Sequence, residues 1–509
     1  MQHLSRSRCS LRLCRPTSVL LVVFLCCTAQ AQRTDGPVLA DAVENKRLAL
    51  TERLLGSKAD VNAKQQDGMT ALHWAVYHNR TGLTKKLIAA EADINCNTDF
   101  GISPLTIACQ NGSEAIVRLL LNHGADPNTT RDGDESVLAT AARAANPGTI
   151  KALLAAGALI DGKDHKGQTA LMWAAAAGNT DVVKVLLKND ADDTVSVKTG
   201  FTALTFAIRN GHTEVVKLLL TDDTNINQTL QRQAAGKTKP ATGMSLLMLA
   251  IENAHYELAV MLLQAGANPN DDRTGFAPLH ALSWVRKPEI GDNERGNPPP
   301  RGSGDVTSLE FAKALVAHGA DVNLPKRNNS GRRLRISVQG ATPFLCAAST
   351  ADVAYMKALL DLGADPTAIT SKKQNALLMA AGIDEGPNAD GPGTAEEHFA
   401  AVRYLLGLKL HKLDELDSNN QSVMHAAAYK SLPNVIRLLD AQGADIGVWN
   451  CRNKQGRTPL DIARGYRPGN FKPDFETERA LKEIMKKHGV TVPATSTPTA
   501  SKQEDWSSQ

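Results

Sequence analysis

Apolar residues along this chain come in two short bursts separated by glycine, and the pair then repeats. The stretch from Asp99 to Asn128 carries one whole copy. Gly101 marks a tight turn. Ser103 and Pro104 follow as an N-cap and first helical residue: the hydroxyl accepts from an orphan N–H, and proline lacks a donor that the first turn does not need. Leu105, Ile107, Ala108 and Cys109 make a short apolar helix, which Gly112 ends. Ser113 is placed to cap a second helix with Ile116, Val117, Leu119 and Leu120 on its apolar face and Glu114 and Arg118 in solvent. Gly124 ends that helix, and Ala125-Asp126-Pro127-Asn128 forms the exit turn.

Leu72, Leu105, Leu138, Leu171 and Leu204 hold the same place in successive copies, at a period of about 33 residues. A Thr-x-Leu-x-x-Ala core recurs at Thr70–Ala75, Thr169–Ala174 and Thr458–Ala463. A Gly-Ala-Asp exit recurs at Gly124, Gly319, Gly363 and Gly443. On these motifs the chain resembles the ankyrin-repeat family from about Val38 to about Val490. The resemblance implies an all-α solenoid of helix–turn–helix units joined by β-hairpin-like turns, about twelve units with both caps, each touching only its neighbours. It implies binding of other proteins as the shared activity.

The organisation expected is then as follows. Residues 1–31 are a secretory signal: Arg6, Arg8, Arg12 and Arg15 form a positive n-region, Ser18 to Thr28 an apolar run, and Ala29-Gln30-Ala31 a small-x-small cleavage site. Residues 32–66 are a capping unit with Asp41, Glu44, Lys46 and Arg47 on its polar side. The solenoid runs over 67–490, with inserted loops at 229–241, 287–304, 325–338 and 384–394. The Ser/Thr/Pro-rich tail 491–509 reads as disordered. Two of the insertions, 229–241 and 325–338, fall in finger turns between units. The other two separate the helices within a unit.

Charge changes meaning once the signal is set aside. Of 57 Lys and Arg, four arginines lie in residues 1–31 and no acid does, which leaves 53 basic against 53 acidic groups. The chain's basicity therefore belongs to the signal, and no nucleic-acid partner is expected. Cys9, Cys14, Cys26 and Cys27 also leave with it. Cys96, Cys109, Cys346 and Cys451 are too scattered for a disulfide framework, so apolar layers must hold the fold.

No HExxH, GxSxG, P-loop, CxxCH or clustered CxxC occurs, and neither a catalytic centre nor a cofactor or metal is expected. His73, His280 and His425 occupy the fourth position of the family signature, where the resemblance implies an imidazole that orders backbone. Asp132, Asp134 and Glu135 share one turn and read as solvated. Trp74, Trp173 and Phe206 read as framework packed between units.

The resemblance also implies that the residue after each turn glycine faces a concave groove. Here those residues are Met69, Ile102, Gln168, Phe201, Met244 and Phe276, mostly large and apolar where burial does not demand it. With Tyr77 and Arg209 at helix ends, Met69, Ile102, Phe201, Met244 and Phe276 make the expected partner-binding groove. The fingers add a basic set: Arg232, Lys237 and Lys239 on the first, and Lys326, Arg327, Arg332, Arg333 and Arg335 on the second. They are expected to steer an acidic partner surface. The function expected is an exported, monomeric, non-catalytic scaffold for a protein partner, periplasmic or secreted and without stable membrane insertion. The rivals are an inhibitor or chaperone of an exported enzyme, and an enzyme with its site on the second-half loops. N-terminal sequencing of secreted material should begin at or near Gln32; intact Met1 in soluble cytoplasm would contradict export.

Overall fold

A computed structural model describes residues 38–144, 146–221, 223–230, 243–288, 298–327, 339–383, 392–466 and 473–494. Among them are twelve antiparallel helix pairs. The chain divides at His165 into two compact units. The first holds four pairs: Val38–Glu44 with Leu48–Gly56, Ala71–Tyr77 with Thr81–Ala89, Pro104–Gln110 with Glu114–Asn122, and Val137–Arg143 with Pro147–Ala155. The second holds eight, from Ala170–Ala177 with Thr180–Lys188 to Pro459–Ala463 with Phe475–Lys487. No described helix is long and apolar enough to cross a membrane.

Within each unit the first helices of successive pairs pack on one another, and so do the second helices. Most first helices are short because a polar cap and a turn bound them. Ser103 Oγ accepts from the Thr106 N–H at 3.1 Å, and Ser136, Thr169, Thr202, Ser245 and Thr342 do the same at their own helices. Leu72, Leu105, Leu138 and Leu171 are at most 1% exposed, which makes them the repeating core of the first-helix layer. Ile116, Val117 and Leu120 are fully buried in the second. Ser113 departs from expectation. It precedes its helix but makes no side-chain cap, because its hydroxyl donates to Asn79 Oδ1 of the preceding pair at 2.7 Å.

Among the described residues, strand content is confined to turns. Thr130–Arg131 pairs with Glu135–Ser136, and Thr229 bridges Ser245. Glu135 is not solvated as the sequence suggests. It is buried between Arg131 and Arg143, both at 2.5 Å, and accepts from the Thr140 hydroxyl. The signal and the last fifteen residues lie outside the described residues. The first part of the tail is tied down: Arg464 Nη2 donates to the Pro493 carbonyl at 2.9 Å.

Two ladders join pair to pair. In the first, a histidine at the third helical position accepts through Nδ1 from the backbone N–H of its own N-cap. Its Nε2–H donates to a carbonyl of the next pair. His73 links Thr70 to Ile102 at 3.2 and 3.0 Å, His280 links Ala277 to Ala341 at 3.1 and 3.1 Å, and His425 links Ser422 to Arg457 at 3.1 and 3.3 Å. This geometry requires neutral imidazole, since a protonated ring has no acceptor. In the second ladder, an exit-turn asparagine accepts a backbone N–H from the next turn and donates to a carbonyl there. Asn95 takes Asp126 N–H at 2.9 Å and gives to Gly124 O at 2.9 Å. Asn62 and Asn128 repeat this in the first unit, and Asn227, Asn270 and Asn323 in the second.

Burial pushes His280 and His425 down to about 4 against backbone bonds that act the other way. The unfolded chain binds these protons near 6.5 and the folded chain only near 4. Stability is therefore complete above 6.5 and falls as pH drops toward 4. Between pH 6.5 and 5, above most carboxylate titrations, the urea midpoint should decline. The decline should be shallower in a His280→Gln/His425→Gln variant, and equal slopes would contradict the assignment.

Candidate functional site

The residues expected to line a groove do not share one environment. In the first unit Met69 and Ile102 are half-buried and Tyr77 is 56% exposed. The backbone of the first two is fixed: Met69 O accepts from Gln65 N–H, and Ile102 O from His73. Tyr77 stands edge-on to Trp74, with ring centroids 5.5 Å apart. In the second unit Phe201 is half-buried against Phe206 at 5.3 Å, with the exposed Arg209 guanidinium 5.9 Å from its ring centre. Met244 is half-buried, and its carbonyl accepts from Leu230 N–H.

Phe276 corrects the expectation. It is 6% exposed and packs edge-on against Trp284, with centroids 4.8 Å apart. The unit that follows Gly275 carries Trp284 near the end of its first helix, and that indole takes the ring into the core. The equivalent Met69, Ile102, Phe201 and Met244 stay half-buried.

The basic fingers are corrected in part. Arg232, Lys237, Lys239, Arg332, Arg333 and Arg335 lie outside the described residues. Lys326 is not a surface charge: it is 2% exposed, and burial lowers its pKa. Its N–H donates to Ala341 O at 2.9 Å and its carbonyl accepts from Gly340 N–H at 2.8 Å. That backbone pairing closes the base of the insertion and pulls residue 326 inward. Arg327 is exposed and paired with Asp272 at 2.5 Å.

The insertion 287–304 is one of the second-half loops on which the rival enzyme site would lie, and its described end brings a serine to a histidine. Ser303 N–H donates to His255 Nδ1 at 2.9 Å, and the Ser303 hydroxyl lies 3.0 Å from that nitrogen and 3.1 Å from Gly211 O. His255 Nε2–H donates to Arg209 O at 2.9 Å. Both ring nitrogens thus serve backbone, and the hydroxyl has a carbonyl acceptor. The arrangement is an anchor, with no lone pair left over for a general base. The close fit needs glycine: a Cβ on Gly302 would sit 1.7 Å from Ala254 O. At its other end the insertion is held by Arg286, bidentate to Asp352 at 2.7 and 3.2 Å, and by Lys287 on Glu397. The described ends of the insertion thus bond to several pairs of the second unit.

What the sequence reading passed over lies at the start of the first unit. An open recess of about 510 Å³ is lined by Glu44, Gln65, Gln66, Asp67, Trp74, Asp99 and Phe100. Phe100 is 62% exposed. Trp74, read as framework, is half-buried, and its Nε1–H donates to Gln65 Oε1 at 2.6 Å. The signal available was the clustering of aromatic and acidic residues at equivalent positions of adjacent copies, Asp67 and Asp99 before the turn glycines and Phe100 beside one. Substituting Phe276→Ser should destabilise by about 3–5 kcal/mol, as a large-to-small change in a packed core. Phe201→Ser should cost less than half of that. Urea unfolding of both variants checks the contrast.

Comparison with known proteins agrees with the repeat. Residues 39–131 and 138–230 match the family model described as ankyrin repeats (3 copies), and residues 242–273 match the model described as ankyrin repeat. No curated protein matches the chain. Among solved structures, the crystal structure of the human ASB11 ankyrin repeat domain is 26% identical. It covers 44% of this chain and 96% of its own, with a TM-score of 0.38.

Proposed function

Starting from a chain that carries ankyrin repeats, we propose that it is an exported, non-catalytic scaffold that holds a protein partner on the first-helix side of its repeats. Ankyrin repeats are in general protein-interaction modules, which supports the class of activity. The observation that carries the reading here is the exposed aromatic patch of Tyr77 and Phe100 beside the half-buried Trp74. Aromatic side chains this exposed have no role in the core, and aromatic side chains supply much of the energy at protein interfaces. The half-buried Phe201 with Arg209 above it offers a similar contact in the second unit. The histidine bridges are used up in backbone bonding, and the Ser303–His255 contact is an anchor, which speaks against chemistry on the inserted loops. Export is supported by the arginine-rich start, the apolar run and Ala29-Gln30-Ala31.

The test is site-specific photo-cross-linking of the full chain in its native compartment. A benzoylphenylalanine replacing Tyr77 should yield a discrete adduct with one protein. The same group replacing Lys85, exposed on the second helix Thr81–Ala89, should not. A Tyr77→Ser/Phe100→Ser variant should lose at least tenfold in capture while its unfolding free energy stays within about 0.5 kcal/mol, as for exposed positions. Equal labelling at both positions would remove the reading.

A further inference from the structure

The recess at the start of the first unit is more than apolar surface. Glu44, Asp67 and Asp99 line it, and Asp41 shares Gln65 with Glu44. None of the four is in an ion pair with a described lysine, arginine or histidine. Lys64, on the same turn as Gln65, places its ammonium 3.4 Å from the Asn97 carbonyl instead.

The recess is also built. Gln65 Nε2 donates to Asp41 Oδ1 at 2.7 Å and Glu44 Oε2 at 2.8 Å, while its Oε1 accepts from Trp74 at 2.6 Å. One carboxamide therefore sets the direction of two carboxylates and the plane of an indole. Asp67 Oδ1 accepts from Met69 N–H at 3.1 Å, and Asp99 N–H donates to Asp67 O at 3.1 Å, so the two aspartates keep a fixed spacing along the turns. Each carboxylate has acceptor capacity left over, because a carboxylate offers about four lone-pair sites.

We propose that this recess takes an arginine side chain from an extended, basic segment of the protein partner; this rests on the scaffold reading above and names the chemistry of one of its contacts. Unpaired carboxylates favour a cation. The Trp74 and Phe100 rings favour a cation that is planar and weakly hydrated, since guanidinium stacks on an aromatic face while donating in its own plane to carboxylates. A lysine ammonium matches the charge but not the stacking. A neutral apolar segment would leave several carboxylates desolvated without partners, which opposes binding.

The probe is a fluorescently labelled Gly/Ser peptide carrying two arginines, compared with the same peptide carrying two lysines or two glutamines. Fluorescence anisotropy with the full chain should show the arginine peptide binding at least tenfold more tightly than the glutamine peptide, and more tightly than the lysine peptide. Its affinity should fall as salt rises. In a Glu44→Gln/Asp67→Asn/Asp99→Asn variant the arginine peptide should lose at least tenfold. An Asp181→Asn/Glu214→Gln variant, which removes exposed acids from the second unit, should bind as the parent does. Circular dichroism and thermal unfolding of the triple variant keep a folding defect from passing as lost binding. Equal affinity for arginine and glutamine peptides, or full affinity in a folded triple variant, would overturn the cation site. If the partner segment cross-linked at position 77 then held no basic residue, the scaffold reading would stand and this inference would fall. Arginine selectivity without any cross-linked partner would leave the recess and remove the scaffold.

Discussion

Within each unit, many of the described helix pairs exchange hydrogen bonds with the next. A first helix of about two turns leaves most of its terminal N–H and C=O groups without intrahelical partners. The caps satisfy part of this deficit locally. Between pairs, backbone groups of the N-caps and turns are met by His73, His280 and His425 on one edge, and those of the exit turns by the asparagines from Asn62 to Asn323 on another. Neutral imidazole is the side chain that accepts from one backbone group while donating to another beyond it. Asparagine does the same through its two amide atoms. The apolar layers supply most of the stability by area, but they are not directional. The two ladders set the register in which the layers stack.

This division of labour explains which positions are open to function. The carbonyl of Ile102 is bound by His73, so the chain just after Gly101 cannot move, while the Ile102 side chain is left half-buried. The same holds at Met69 and Met244, whose carbonyls are also engaged. A surface made of such side chains is rigid without contributing much to the core, and little ordering entropy is lost when it binds. The recess near Trp74 has the same character. Its polar groups are oriented by Gln65 before any ligand arrives. The contacts at the two ends of the 287–304 insertion are the opposite case. The described ends tie pairs together, and the contact there of Ser303 on His255 spends its hydrogen bonds on backbone.

Periodicity made the repeat legible, because each copy must bury the same stripe against its neighbours. Leu72 to Leu171 could be placed in the core from the sequence for that reason, and so could the structural role of the three histidines. Caps were readable where the acceptor lies three residues away, as at Ser103. Ser113 was misread because its hydroxyl partner, Asn79, is 34 residues earlier and only the stacking brings it near. Phe276, Lys326 and Glu135 were misplaced for a related reason. Their burial is set by Trp284, by the pairing with Gly340 and Ala341, and by Arg131 and Arg143, none of which the repeat pattern specifies.

The sequence by itself therefore determined the all-α repeat, the short capped helices and the apolar layers, which follow from local chemistry repeated at a fixed step, while the family resemblance implied that the three histidines order backbone. Only the tertiary structure decided which of the equivalent post-glycine residues are open, where the inserted loop is anchored, and that Gln65 gathers Asp41, Glu44 and Trp74 around one recess. Those outcomes depend on contacts between copies that differ from the consensus. A periodic pattern states what the copies share, and the site is made of what they do not.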